Sequence, residues 1–213
     1  MKAWEVVERE VSMNFLSSTL AFKCKRFLYG VIKKFKYRFC ARGDQKTKGV
    51  YYFETYAPVV MWTTIQLMLI LECLLDLNFK QGDVNFAFLN AHLPEEETVY
   101  VHMPQGFTHY EKKGKAKVLK LNRCLYGLKN STWAFWKFMV EKLEFCGLKQ
   151  SKLDPCLFIG DTVIAVMYVD YILMWSTEDQ NIIDLKKLLN TEVVDLEEGN
   201  YADEFLGVQL TKT

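Results

Sequence analysis

Two carboxylates far apart in the chain, Asp83 and Asp170, each stand where a short apolar segment ends or turns. Asp83 closes the stretch from Phe79 to Val84. Asp170 lies in Tyr168-Val169-Asp170-Tyr171, at the centre of the apolar run Val163 to Trp175, where two buried strands would have to turn. Carboxylates from two strands meeting at one sheet edge are hard oxygen donors suited to Mg²⁺. Two such ions about 3.5 to 4 Å apart can grip the attacking and leaving oxygens of phosphoryl or nucleotidyl transfer, a reaction that needs little covalent help from protein. One position past Asp170 stands Tyr171, a phenol whose ordinary pKa of about 10 leaves it uncharged at pH 7. Asp also favours turns for its own reasons, so local sequence leaves a turn role open for both acids.

The elements that must position these groups follow from period and punctuation. Lys33 to Cys40 alternates polar and apolar residues like a half-buried strand, and Gly30 marks the turn of a basic hairpin. Thr63 or Thr64 can cap a helix running to about Asp76, apolar on most faces and therefore expected to be buried. Phe79 to Val84, Val99 to His102 and Val118 to Leu121 read as strands. A helix capped by Asn130, Ser131 or Thr132 carries Trp133, Phe135, Trp136, Met139 and Leu143 at core spacing, and Gly147 offers its C-cap. Val163 to Trp175 is a hairpin. Thr177, Glu178 and Asp179 open a helix with Lys186 and Lys187 in its last turn, and Phe205 to Leu210 is a final strand. This interleaving implies an α+β fold with helices on one side of a sheet.

Half of the 213 residues are hydrophobic and a quarter charged, which excludes general disorder. The acidic amino-terminal segment has no signal-like apolar core. The longest apolar stretch, Ile65 to Leu75, is interrupted by Gln66 and Glu72 and is too short to span a bilayer, so an intracellular protein, cytoplasmic or nuclear, with no membrane partner is expected. Six cysteines form no CxxC, and His92, His102 and His109 pair with none at zinc spacing; buried thiols in a reducing compartment follow. The net charge is only +1, but its distribution is uneven. Lys23 to Lys48 holds ten basic residues against Asp44 alone, Lys112 to Lys129 holds seven and no acid, and Glu178 to Glu204 holds nine acids. Two basic segments could therefore face phosphates, or could be ordinary solvated charge.

QGDVNFAFLNAHLPEEETVYVHMPQGF, then KVLKLNRCLYGLKN, GLKQSKLDPCLF and YVDY, in that order and at these intervals, resemble the reverse transcriptase of copia-type LTR retrotransposons. The likeness begins before KKFKYRFCARGDQKTKGVYYFETYAPVVMWTTIQL and continues to FLGVQL, covering nearly all the chain. It implies a right-hand polymerase, with fingers over about residues 15–60, mainly palm over 61–213, and an antiparallel palm sheet with helices on one face, all one reverse transcriptase domain. Asp83 matches the first catalytic aspartate and Asp170 the first of the family's YVDD turn; with the Val84 backbone they would hold two Mg²⁺ ions. Lys36 and Arg38 resemble the residues that clamp the triphosphate. Phe88 matches the aromatic gate against a ribose 2′-hydroxyl, and Tyr126 and Gly127 occupy the turn that lies against the incoming dNTP. Phe205, Leu206 and Gly207 fall at the primer grip. The implied partners are an RNA or DNA template with its primer, and dNTP.

Departures from the family bear on activity. Tyr171 removes a carboxylate, Asn130-Ser131-Thr132-Trp133 replaces the usual Gln, small residue, Pro and Arg, and Leu28-Tyr29-Gly30 stands where a Pro-Asp-Gly turn is common. No thumb, RNase H, integrase or protease segment is recognised, so a thumb and RNase H on another chain would be needed for processive synthesis. The expectation is a polymerase impaired in this copy; the alternative is a decayed or domesticated remnant, not an enzyme, with weak nucleic-acid binding.

Overall fold

The computed structural model describes residues 2–27, 29–45, 55–94, 97–107, 116–191, 196–199, 204–205 and 208–209. In chain order its elements are β1 (Trp4–Glu8), β2 (Phe15–Leu16), β3 (Ser18–Arg26), β4 (Ile32–Ala41), α1 (Trp62–Leu75), β5 (Asn78–Val84), α2 (Ala87–Asn90), β6 (Tyr100–His102), β7 (Lys117–Leu121) and α3 (Ser131–Phe145). They continue with β8 (Lys149–Gln150), β9 (Leu157–Ile159), β10 (Ile164–Tyr168), β11 (Tyr171–Ser176), α4 (Asp179–Thr191), β12 (Leu196–Gly199), β13 (Glu204–Phe205) and β14 (Val208–Gln209). The mixed α and β content agrees with the expected class. Two compact units form: Met1–Tyr56 with Phe88–Phe135, and Ala57–Ala87 with Trp136–Thr213.

The second unit is built on a six-stranded antiparallel sheet in the order β12-β5-β11-β10-β9-β8. Its centre is the expected apolar hairpin, and Ala165, Val166, Ile172, Leu173, Met174 and Trp175 are all at most 1% exposed. Since successive strand residues point to opposite faces, burial of every one requires cover on both. Ile65 and Met68 of α1 pack with Phe79, Val166, Leu173 and Trp175 on one face, where the Trp175 indole N–H also donates to Glu72. α4 lies on the other, through a Lys80–Asp179 ion pair and an Asn181 amide that donates to Ser176. The expectation of helices on one face only is thus corrected: a hairpin apolar at every position has no face to leave in water.

Asp154 fastens α1 to this unit. Its buried carboxylate accepts the Met61 backbone N–H at 3.0 Å, the Thr64 hydroxyl at 2.6 Å and the Cys156 N–H at 2.9 Å. The cap is therefore not a side chain of Thr63 or Thr64; the helix begins at Trp62, and its capping acceptor comes from a distant loop. Nor is α1 buried all round, because Leu67, Ile70 and Leu74 are exposed. Burial pushes the neighbouring Cys156 thiol up to about 12, with the Asp154 charge adding to the effect. Gly147 closes α3 at φ +87°, as expected of a C-cap. α4 runs to Thr191, so Lys186 and Lys187 fall short of its last turn. The expected final strand is instead a hairpin, Glu204–Phe205 pairing with Val208–Gln209.

The first unit holds a four-stranded sheet, β1-β7-β6-β2, over Leu16, Ala41, Val101, Leu119, Leu121, Leu125 and Leu128. β3 and β4 pair separately as a ribbon. Leu20, Phe22 and Cys24 oppose Phe39, Tyr37 and Phe35, and the alternate residues Ala21, Lys23 and Lys25 oppose Arg38, Lys36 and Lys34. One face is thus aromatic and the other cationic. Phe22, Phe35 and Tyr37 are each more than 70% exposed, which corrects the half-buried expectation for this strand.

Backbones meet closely where β4 ends. The Ala41 N–H donates to the Tyr126 carbonyl at 2.8 Å and the Gly43 N–H to that of Gly127 at 3.2 Å. Gly127 has φ +88°, and a Cβ there would overlap the Ala41 carbonyl oxygen. Gly127→Ala is expected to lower the unfolding free energy by about 2 kcal/mol or more, from left-handed strain plus overlap; a urea midpoint matching that of the parent chain would refute this.

Candidate functional site

The turn that carries Asp170 is as tight as a hairpin allows. Tyr168 and Tyr171 are register partners, so Val169 and Asp170 alone reverse the chain. Val169 takes φ +53°, a costly conformation for a β-branched residue. The turn is tied to β5, because the Val84 N–H donates to the Asp170 carbonyl at 2.8 Å. On β11, Tyr171 is the direct register partner of Asp83. Asp83, Asp170 and Tyr171 therefore converge at one end of the β5–β11 pair.

Electrostatics record the same convergence. Burial pushes the Tyr171 phenol above its usual range, and the Asp83 and Asp170 charges push it further. The phenol is neutral at physiological pH and sits in the field of both acids. The two carboxylates are partly exposed at one end of a strand pair and carry hard oxygens of the kind a divalent cation takes. Among the described residues, no group of three or more His, Cys, Asp or Glu comes together to hold a metal. β12, which period did not foretell, sets Glu197 in backbone register with Asp83 on the side opposite Tyr171. The acid-rich stretch Glu178 to Glu204 was its only sign.

In the first unit, several residues from separate segments meet. The Arg38 guanidinium stands 5.2 Å from the centre of the Tyr126 ring, which packs edge-on to Phe88 at 4.8 Å. Phe88 in turn meets Phe135 at 6.1 Å. Gly127 follows Tyr126, and Lys36 shares the Arg38 face of the ribbon. Arg38 Nε is buried without a hydrogen-bond partner. Arg38, Phe88, Tyr126 and Gly127 are thus brought together by folding.

One altered segment has a definite local role. The Asn130 amide donates to both oxygens of Glu97, at 3.0 and 2.8 Å, and the Ser131 hydroxyl donates to the Leu125 carbonyl at 2.8 Å. Glu97 was not singled out from sequence, where it is one of three consecutive acids. Phe205 lies in β13, while Leu206 and Gly207 fall outside the described residues, as do Leu28, Lys46, Lys48, His109, Lys112, Lys113 and Lys115. No helix among the described residues is long and apolar enough to cross a membrane.

Comparison with known proteins adds an independent line. The family model described as reverse transcriptase (RNA-dependent DNA polymerase) matches residues 1–213. The chain is 29% identical over 98% of its length to the retrovirus-related Pol polyprotein from transposon TNT 1-94 of Nicotiana tabacum, covering 16% of that polyprotein. It is 31% identical over 84% of its length to the corresponding polyprotein from transposon RE1 of Arabidopsis thaliana, covering 12% of it. It is also 29% identical over 82% of its length to the transposon Ty1-ER2 Gag-Pol polyprotein of Saccharomyces cerevisiae, covering 10%. The chain thus spans a small part of the relatives it matches. With the motif order and the match over all 213 residues, this chain belongs to the reverse transcriptase family, as the reverse transcriptase domain of a copia-type retrotransposon.

Proposed function

We propose that the chain is an RNA-directed DNA polymerase domain whose catalytic site is impaired by Tyr171. The observation that carries the proposal is the convergence of Asp83 and Asp170 on the Tyr171 phenol. Asp83, Asp170 and the Val84 backbone would hold Mg²⁺, two ions in a fully active relative. When bound, the ions supply charge neutralisation at the transferred phosphoryl group and activation of the primer hydroxyl. Arg38 and Lys36 would bind the triphosphate, Phe88 would exclude a 2′-hydroxyl, and Tyr126 and Gly127 would form the floor for the nucleotide. Phe205, Leu206 and Gly207 would support the primer.

In this proposal the second unit is the palm, and the first, with its cationic ribbon, is the fingers. The fingers then include Phe88–Phe135 as well as the expected basic hairpin. Template and primer would be held mainly through backbone phosphates, which is why basic segments without base-reading geometry suffice. Thumb and RNase H functions would come from other segments of a longer polyprotein or from another chain.

Primer extension on poly(rA)·oligo(dT) with Mn²⁺ or Mg²⁺ tests this. A weak product is expected from the chain itself, none from Asp83→Asn, and a stronger one from Tyr171→Asp. A Tyr171→Asp protein that is folded by circular dichroism yet makes no product would favour the alternative, a remnant that keeps the fold and binds nucleic acid weakly.

A further inference from the structure

Asp83 has an acidic register partner on the strand that borders β5 on its other side. β12 is the outermost strand of the described sheet, and its register against β5 pairs Leu196 with Val84, Glu197 with Asp83, Glu198 with Gly82 and Gly199 with Gln81. Across β5, β11 sets Tyr171 opposite the same Asp83. Directly opposed residues of antiparallel strands share one face of the sheet. By backbone register, Glu197, Asp83 and Tyr171 thus form a single row across three strands. The row lies at the end of β5 where the Val84 N–H holds the turn that carries Asp170. Glu198, one residue along, falls on the opposite face with Gly82.

Setting two acids opposite one another has a physical cost. Residues in direct register stand with their Cβ atoms about 4.5 to 5.5 Å apart, and like charges so placed weaken the strand pair. A divalent cation at the same end of the sheet reverses the sign of that effect. Each carboxylate then adds attraction to the ion, and the ion, as the largest local charge, offsets the repulsion between them. The β11 side brings no charge of its own, because the Tyr171 phenol is neutral at physiological pH. The strands that flank β5 therefore differ: one places a neutral phenol in register with Asp83, and the other an acid whose ordinary pKa of about 4.3 leaves it ionised at pH 7.

We propose that Glu197 is a further acidic residue of the divalent-ion site, supplying from β12 the negative charge that Tyr171 does not supply from β11. The inference rests on the reading of Asp83 and Asp170 as holders of the ion, and it adds to that reading a residue from a third strand. Mn²⁺ titration of the 213-residue chain, followed by electron paramagnetic resonance of the free ion, tests it without any polymerase reaction. Glu197→Gln should weaken Mn²⁺ binding by about tenfold, the loss of one unit charge near the ion. Glu198→Gln removes the same charge one residue along, on the other face, and should stay within about twofold of the parent chain. Gln keeps the size of Glu, so far-UV circular dichroism of both variants should match that of the parent. Asp83→Asn sets the scale of a lost ligand. A loss of affinity in Asp83→Asn with none in Glu197→Gln, or equal losses in Glu197→Gln and Glu198→Gln, would overturn this inference and leave the ion site at Asp83 standing. Unchanged Mn²⁺ affinity in Asp83→Asn would overturn the ion site and this inference together.

Discussion

Tyr171→Asp is expected to tighten divalent-ion binding by on the order of 10², without change of fold. The substituted carboxylate would stand on β11 in direct register with Asp83 and one residue from Asp170. One unit charge at 4 Å is worth about 4 kcal/mol at an effective dielectric near 20, a value suited to a partly exposed site. Repulsion among three acids before the ion arrives takes back part of that, leaving about 3 kcal/mol, which is the predicted hundredfold. Mn²⁺ titration followed by electron paramagnetic resonance reads free ion directly. Tyr171→Phe separates charge from shape: it removes the hydroxyl, keeps the ring and should leave affinity near that of the parent chain. Asp83→Asn should reduce binding further. Equal Mn²⁺ affinity in the parent and Tyr171→Asp proteins would mean that the carboxylates do not share an ion at this turn.

The second large effect concerns stability. Asp154→Ala is expected to remove about 4 kcal/mol from the unfolding free energy and to lower Tm by about 8 to 16 °C. Asp154 is 2% exposed, and its two oxygens serve three donors on separate segments: Met61 and Thr64 at the start of α1, and Cys156 on the loop before β9. Truncation leaves those donors without their acceptor in a site where water cannot easily replace it, and it also uncaps the helix. Asp154→Asn keeps one carbonyl acceptor and should cost roughly half as much. Urea unfolding followed by far-UV circular dichroism measures both. A loss below about 1 kcal/mol for the alanine variant would show that α1 holds its place by apolar packing alone. Since α1 packs on the face of β5 and β11 that also carries Asp83 and Tyr171, a loosened α1 should weaken Mn²⁺ binding as well.

Much of the fold was legible because local patterning agreed with the final structure. The apolar run from Val163 to Trp175 read as a buried hairpin and Gly147 as a helix C-cap, and both are found. Errors arose where long-range partners decided. The cap of α1 comes from Asp154, about ninety residues away along the chain, and no local pattern announces it. The expected half-burial of the Lys33–Cys40 strand assumed a sheet beneath it, whereas over most of its length that strand pairs in a two-stranded ribbon, with a bridge from Cys40 to Tyr126 at its end. α1, apolar on most faces, was expected to be enclosed, but one side of it meets nothing described in this chain.

By itself the sequence determined the family, through the order and spacing of its motifs, and it marked Asp83 and Asp170 as candidate acids with Tyr171 beside them. These are properties of residue identity along a line, which no folding step alters. Only the tertiary structure decided that Tyr171 is in register with Asp83 across the strand pair, that Arg38, Phe88 and Tyr126 form one packed group, and that Leu67, Ile70 and Leu74 of α1 are exposed. Register, cross-strand pairing and burial depend on which distant segments share a surface, and the pattern of a single segment does not contain that information.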